Sequence, residues 1–576
     1  MAAFPVMEEL MLTQWLEMAR RGEPVWLSDV REGSRALPGS VPVIMQITLC
    51  AGGKRDFELF IPRWADGEQR QFVLDYVTAC VFNALSALGG RETAFYLDLR
   101  ETEAAALLGE LDGVFQVHES RRGGCGKVIN IADRLCRAFG GGRFAFAVRD
   151  SEKFVPALKK AERKNDLLPR LRSAVGQTAR GVCCGIDIGG TDIKAAVARD
   201  GKLLCVKEYD WNPAASPTAE GIIGPIELLV RLMACCAAGL VTPELARALE
   251  KDASDEEMAR AVEGRETAPL DVLGVSFPDI VIRDRIVGGE TPKMKGMRDN
   301  PDVDFEEGFA KLRELKQILL PYCREGAAVH MTNDGHIAAY TAAAELAFSG
   351  EEPDFSGGVI AHALGTDFGV GYLNSDGTIP EMPVELYDFL LDLGSWPQRR
   401  LPPEDLRSTR NENSGMPGAR RYLGQAAAFR LAYGEDPALL SGFTEEGVLS
   451  IRQQPEDLRK PCLAYLMEQA QAGNERARAV FEQIGRNLGQ ISREMLRLMA
   501  PETPVRYLFG RFVKHPACFA LLRSGCAQVL PEIQLEAADE DLACTPLMRG
   551  LADHGVTVAQ FGQAVGAMYY AAMPEE

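Results

Sequence analysis

The stretch from residue 182 to 197 does most to limit what this chain can fold into. A short apolar run leads into Gly185-Ile186-Asp187-Ile188-Gly189-Gly190-Thr191-Asp192-Ile193-Lys194, and residues 193–197 resume as a strand. Strand, glycine turn and strand make a hairpin whose tip carries almost no side chain, so backbone N–H groups can close on a phosphate. Thr191 adds a hydroxyl donor. Asp187, at the strand end, can hold Mg²⁺ directly or through water. A plain Gly-Gly β-turn is the other reading of the same residues.

Three further elements give the hairpin a context. Residues 363–373 repeat the pattern, with Gly365, Thr366, Asp367, Gly369 and Gly371 around a second turn and Asp376-Gly377 as the turn after it. Between the two hairpins, residues 327–331 read as a strand that stops at Thr332-Asn333-Asp334-Gly335, and a helix is predicted over 336–348. An Asn or Asp at such a switch commonly caps a helix. The alternative makes Asp334 a general base that takes the proton of a hydroxyl attacking a γ-phosphate. The order of the motifs along the chain favours the base. Late in the sequence, a long helix over 474–499 precedes a strand, 506–513, with a glycine turn at Gly510-Arg511, and a helix is predicted over 516–524. Such a turn can pass beside a nucleotide base.

The chain of 576 residues is too long for one ordinary core, and a prior of about 150 residues per domain implies three or four units. Residues 1–150 read as an α+β module with two strands around Gly52-Gly53, a helix over 72–88 and strands near 95–99 and 144–148. Residues 151–180 read as a charged helical connector, either a solvated helix or a linker. From residue 181 strands and helices alternate, which predicts α/β layers. Residues 396–417 read as irregular, and helices are predicted over 418–500. The net charge of −19 argues against a general nucleic-acid or anionic-membrane binder. The opening residues lack a secretory pattern, and no uninterrupted apolar run reaches the ~18 residues of a membrane helix. The 14 cysteines are dispersed, as expected of reduced, mostly buried thiols in a cytoplasmic protein.

Hairpin, Asn-Asp helix, second glycine hairpin and late glycine turn occur in the order of the ROK family (repressor, open reading frame, kinase), which the sequence resembles over residues 181–572. Residues 273–278, 415–423 and 561–567 resemble further family segments. The resemblance implies a two-lobed actin-like ATPase (ribonuclease H-like) fold of class α/β, with an additional N-terminal α+β domain. The first lobe spans 181–325, with a C-terminal helix, 555–576, returning to it. The second spans 326–554 and includes a helical insertion, 381–500. The implied activity is ATP-dependent phosphorylation of a sugar-like hydroxyl, with Asp334 as base and Asp187 serving Mg²⁺. Gly189, Gly190, Thr191, Lys194, Gly365, Thr366 and Gly369 would surround the phosphates, and Gly510 and Arg511 would lie near the adenosine. Asn333, Lys293, Glu381 and Glu385 are the substrate candidates, and a homodimer is implied by analogy.

The sequence also departs from that family. The zinc cluster implied by the resemblance has no cysteine in the matching loop, residues 413–418, so no structural zinc is expected. Lys293 and Lys295 stand where a sugar-contacting Asn is expected, which suggests an anionic ligand. Asp192 and Asp367 stand in the phosphate loops, where a carboxylate repels a polyphosphate unless it turns away or meets a metal. These departures keep open a catalytically altered sensor or regulator, or an ATPase coupled to a partner.

Overall fold

The computed structural model describes residues 4–115, 125–140, 142–158, 163–239, 241–365, 368–395, 418–443 and 456–574. Its described elements are mixed helix and strand, with four sheets. The chain divides into two compact units: Met1–Ala161, His362–Val370 and Met382–Ala537 form one, and Glu162–Ala361, Gly371–Glu381 and Ala538–Glu576 the other.

The first unit begins with two helices, Phe4–Arg20 and Leu27–Ala36, for which sequence patterning gave no signal. Strands β1 (Val41–Thr48) and β2 (Lys54–Ile61) then form the expected antiparallel hairpin. Together with β3 (Glu92–Leu97) and β4 (Ala145–Asp150) they make a sheet of order β2-β1-β3-β4. Helix α1 (Gly67–Leu88) starts at Asp66, whose carboxylate accepts the Gln69 N–H at 2.8 Å, and it is buried along nearly its whole length. The expected connector over 151–180 is helical only at Leu167–Gln177. Ahead of it the described residues hold a single 3₁₀ turn, Ser151–Lys153, and chain without regular structure.

The second unit is organised by a five-stranded sheet of order β11-β8-β5-β6-β7. Its strands are β5 (Val182–Ile188), β6 (Asp192–Arg199), β7 (Lys202–Asp210), β8 (Leu270–Phe277) and β11 (Cys323–Asn333). Between β8 and β11 lies a two-stranded ribbon, β9 (Val281–Ile282) and β10 (Arg285–Ile286). The first three large strands run as an antiparallel meander, while β8 and β11 join β5 in parallel. Helix α2 (Glu220–Ala238) packs on β6. Both α1 and α2 are long and apolar enough to cross a membrane by length and composition, yet most of the apolar length of each is buried inside its own unit. The register aligns Asp187 with Ser276, and Ser276 with Thr332, so three parallel strands end at one edge. Helix α3 (Asp334–Leu346) leaves from that edge. The lobe boundary expected between residues 325 and 326 therefore falls inside β11, because Cys323 and the last six residues of the strand pair with β8.

Strands β12 (Val359–Leu364) and β13 (Phe368–Leu373) form the second glycine hairpin. Helix α4 (Glu475–Met499), capped by the Asn474 side chain, then precedes β14 (Val505–Phe509) and β15 (Gln534–Ala537), giving a sheet of order β13-β12-β14-β15. Residues 382–537 are bound to the N-terminal residues by buried polar contacts. The Asp392 carboxylate accepts the Val25 N–H at 2.8 Å and the Tyr422 hydroxyl at 3.1 Å. The Asn83 amide exchanges two hydrogen bonds with Leu390. Glu494 pairs with Arg31 at 2.7 Å and Arg497 at 3.0 Å. Burial opposes the charge on Glu494, and the two guanidiniums more than offset it, holding the carboxyl below its usual range. Residues 1–161 thus share one compact unit with 382–537, whereas the sequence suggested a separate module.

The last helix, α5 (Val558–Ala571), belongs to the second unit and packs on β5 and β8. Two glycines set that approach. A Cβ at Gly185 would lie 1.9 Å from the Ala564 carbonyl oxygen, and one at Gly274 would lie 1.9 Å from that of Ala567. Both obstacles are backbone and cannot swing aside. Gly274→Ala should therefore lower stability by about 3 kcal/mol or more, near the upper end of ordinary overpacking. Thermal melting of the full chain checks this, and an unchanged midpoint would mean that α5 can shift at little cost.

Candidate functional site

The shared edge of β5, β8 and β11 gathers most of the chemistry, as the carboxyl ends of strands do in α/β sheets. At the end of β5, Asp187 accepts the Ser276 hydroxyl at 2.7 Å, and its second oxygen has no hydrogen-bond partner among the described residues. Burial pushes this carboxyl up to about 6. The negative charge of Asp334 adds to the rise, while Ser276 and Lys194 oppose it.

The glycine turn follows at once. The Gly189 N–H closes it by donating to the Asp192 carbonyl at 2.8 Å. Trp211 braces the turn from outside: its indole N–H donates to the Gly189 carbonyl at 3.1 Å and its backbone N–H to the Thr191 carbonyl at 3.0 Å. Gly190 and Thr191 stay exposed. Asp192, the unexpected carboxylate, is met by Lys194 at 2.5 Å. That pairing offsets the repulsion expected at a phosphate loop, and it also places the Lys194 ammonium on Asp192, where a free phosphate ligand was expected.

Asn333 and Asp334 divide the two roles that the sequence left competing for one position. The Asn333 side chain caps α3 by accepting the Gly335 N–H at 2.9 Å, and its amide donates to the Asp279 carbonyl at 2.9 Å. Asp334 is the first helical residue and also accepts the Gly335 N–H, at 2.8 Å. Burial raises its pKa, with the Lys293 ammonium opposing. The helix start is thus secured by Asn333, and Asp334 is left half-buried at the strand edge.

Lys293 rides on a braced loop. Asp279, buried, accepts the Gly289 N–H at 2.7 Å, and Arg298 donates to the Gly289 carbonyl at 2.8 Å. Thr291 caps the turn Pro292–Met294 by accepting the Lys293 N–H at 3.3 Å. The Lys293 Cε lies 3.1 Å from where a Cβ on Gly190 would stand, so the side chain extends over the glycine turn.

Each of the remaining candidates has its own setting. Glu381 is held in a fork by Arg283, with both bonds at 2.7 Å, which ties it to the β9–β10 ribbon. Gly365, Gly369, Glu385, Gly510 and Arg511 belong to the other compact unit. There the Gly365 carbonyl accepts the Gln425 N–H at 3.0 Å, and Gly510, at φ +130°, lies against the Leu364 carbonyl. Arg511 is exposed. The Glu385 N–H donates to the Ser86 carbonyl at 3.0 Å. Thr366, Asp367 and residues 413–417 of the loop compared with a zinc site lie outside the described residues. Gly371 serves packing: a Cβ there would lie 2.1 Å from the Gly335 carbonyl oxygen at the start of α3. Beside it, the Tyr372 N–H donates to His336 Nδ1 at 3.0 Å, and burial lowers that imidazole to about 4, keeping it a neutral acceptor.

Sequence reasoning missed Ser276, Asp279 and Trp211. Ser276 could have been found by aligning the strand ends, since its segment was already singled out. Trp211 carries no local signal.

No family model matches this sequence, and no curated protein matches it. Solved structures similar to this chain include a ROK family glucokinase from Streptomyces griseus in complex with glucose and AMPPNP (20% identity, covering 67% of this chain and 98% of that one, TM-score 0.36). A ROK hexokinase from Thermus thermophilus is 17% identical over 68% of this chain and 97% of its own, with a TM-score of 0.36. A glucokinase from Balamuthia mandrillaris in complex with glucose is 15% identical over 70% and 97%, with a TM-score of 0.37. Likenesses this distant do not decide the activity, which has to be read from the residues.

Proposed function

We propose that this chain is an ATP-dependent kinase of a sugar or sugar-like hydroxyl compound, built on an actin-like two-lobed fold. The observation that carries the reading is the division of labour at the start of α3. Asn333 caps the helix, which frees Asp334 for chemistry beside Asp187 and a bare Gly-Gly-Thr turn. The meander followed by two parallel crossover strands is the topology expected of such a lobe. The reading uses only residues of the unit that carries Asp334.

The residues fit a magnesium-bound nucleotide. Mg²⁺ is commonly held by one or two protein carboxylates together with phosphate oxygens and water, and Asp187 offers one carboxylate oxygen without a hydrogen-bond partner among the described residues. When bound, the metal would neutralise phosphate charge. The turn Gly189-Gly190-Thr191 presents backbone N–H groups and a hydroxyl to phosphate oxygens. Asp334 accepts the proton of the acceptor hydroxyl as that oxygen attacks, its raised pKa favouring uptake. Lys194, by pairing with Asp192, removes one motive for the regulator alternative.

A coupled assay of ADP release across hexoses, amino sugars and their derivatives tests the proposal. At least one acceptor should stimulate release far above the rate without acceptor. Equal release with and without every acceptor would leave an ATPase and overturn the kinase.

A further inference from the structure

We infer that Lys293 is the cation for the phosphoryl group in transit, holding its oxygens between the glycine turn and the acceptor hydroxyl. The inference rests on the kinase reading above and assigns a role within it. Three observations meet at this side chain. It lies over Gly190, the exposed second glycine of the turn. Its charge is felt by Asp334, where the acceptor hydroxyl is deprotonated. The residue is half-buried, and its ammonium makes no hydrogen bond or ion pair among the described residues.

A braced loop keeps the ammonium there, where it acts on the Asp334 carboxylate through space without a hydrogen bond to it. The other lysine of the site, Lys194, is already neutralised by Asp192. Lys293 is therefore the ammonium left to meet incoming negative charge. In the transfer, the acceptor oxygen forms a bond to the γ-phosphorus while the bridging bond to the β-phosphate oxygen breaks. ADP leaves with that electron pair, and the acceptor proton goes to Asp334. Charge spreads over the three equatorial oxygens of the group in transit, which is where a cation placed between donor and acceptor acts.

A binding measurement on the full chain separates this role from others. Isothermal titration with ADP and with the β,γ-imido analogue of ATP, both with Mg²⁺, would be run on the wild type, Lys293→Met and Lys293→Arg. Thermal melting of each confirms that it is folded. Lys293→Met is expected to weaken the imido analogue by about 10- to 100-fold, the range for a hydrogen bond to a charged group, and to leave ADP within about twofold. Lys293→Arg should recover part of the loss. If both nucleotides weaken equally, or neither changes while the wild type binds them, the assignment of Lys293 falls and the kinase reading stands. If neither nucleotide changes and a hexose 6-phosphate binds less tightly, the ammonium serves an anionic acceptor and the assignment also falls. A wild type that binds neither nucleotide overturns both.

Discussion

Asp334→Asn should cut acceptor-dependent ADP release by about 10²- to 10⁴-fold, the usual contribution of a positioned general base, while nucleotide affinity and fold persist. The substitution keeps the shape of the side chain and its acceptor oxygen for the Gly335 N–H. It removes only the capacity to take a proton. Because burial raises the pKa of Asp334, the carboxylate is a strained charge in the free protein, and its loss should leave the melting temperature level or higher. A merely capping Asp334 makes a different forecast: Asn keeps the cap, so turnover hardly moves. The structure gives the cap to Asn333, so the two forecasts separate cleanly in one variant. Steady-state kinetics on the best acceptor, together with a melting curve, decide between them.

Much of this site could be read from sequence because its parts are strand ends and glycine turns, which leave local traces. Asp187 before Gly-Gly and Asn333-Asp334 before an alanine-rich helix are patterns within ten residues. Contacts between distant segments left no such trace. Nothing near Val25 indicates that its N–H meets Asp392, 367 positions away. Nothing near Arg31 indicates a partner at Glu494. The N-terminal residues consequently looked independent. The same limit explains the boundary at residue 325: the pairing of β11 with β8 joins segments about 55 residues apart. Glycines were the other ambiguity. Sequence cannot tell a glycine that bares a backbone for a ligand, such as Gly190, from one that admits another backbone, such as Gly371 or Gly274. The same limit hid the partner of Lys194, since Asp192 looked like a liability and is its counter-ion.

Asp187→Asn should stabilise the free protein at neutral pH while removing metal-dependent nucleotide binding. Burial pushes its carboxyl up to about 6 in the fold, from an ordinary value of 3.8. Between those values the folded state holds the proton more tightly than the unfolded state. The contribution of Asp187 to stability is therefore full below about pH 4, declines as pH rises through 6, and is level above it. At about 1.4 kcal/mol per pKa unit, the ionised group costs the fold roughly 2–3 kcal/mol above that range, and Ser276 offsets only part of the burial. Asn keeps an acceptor for the Ser276 hydroxyl and carries no charge. With a chelator present, the melting temperature of the variant should exceed that of the wild type at pH 7.5, and the gap should close toward pH 5. A gap that does not change with pH would show that burial of Asp187 is not what shifts it. Adding Mg²⁺ and ADP should then raise the wild type and leave the variant almost unmoved. A residue that destabilises the empty protein and is needed once the nucleotide arrives is kept for the ligand, since the fold alone would favour its loss.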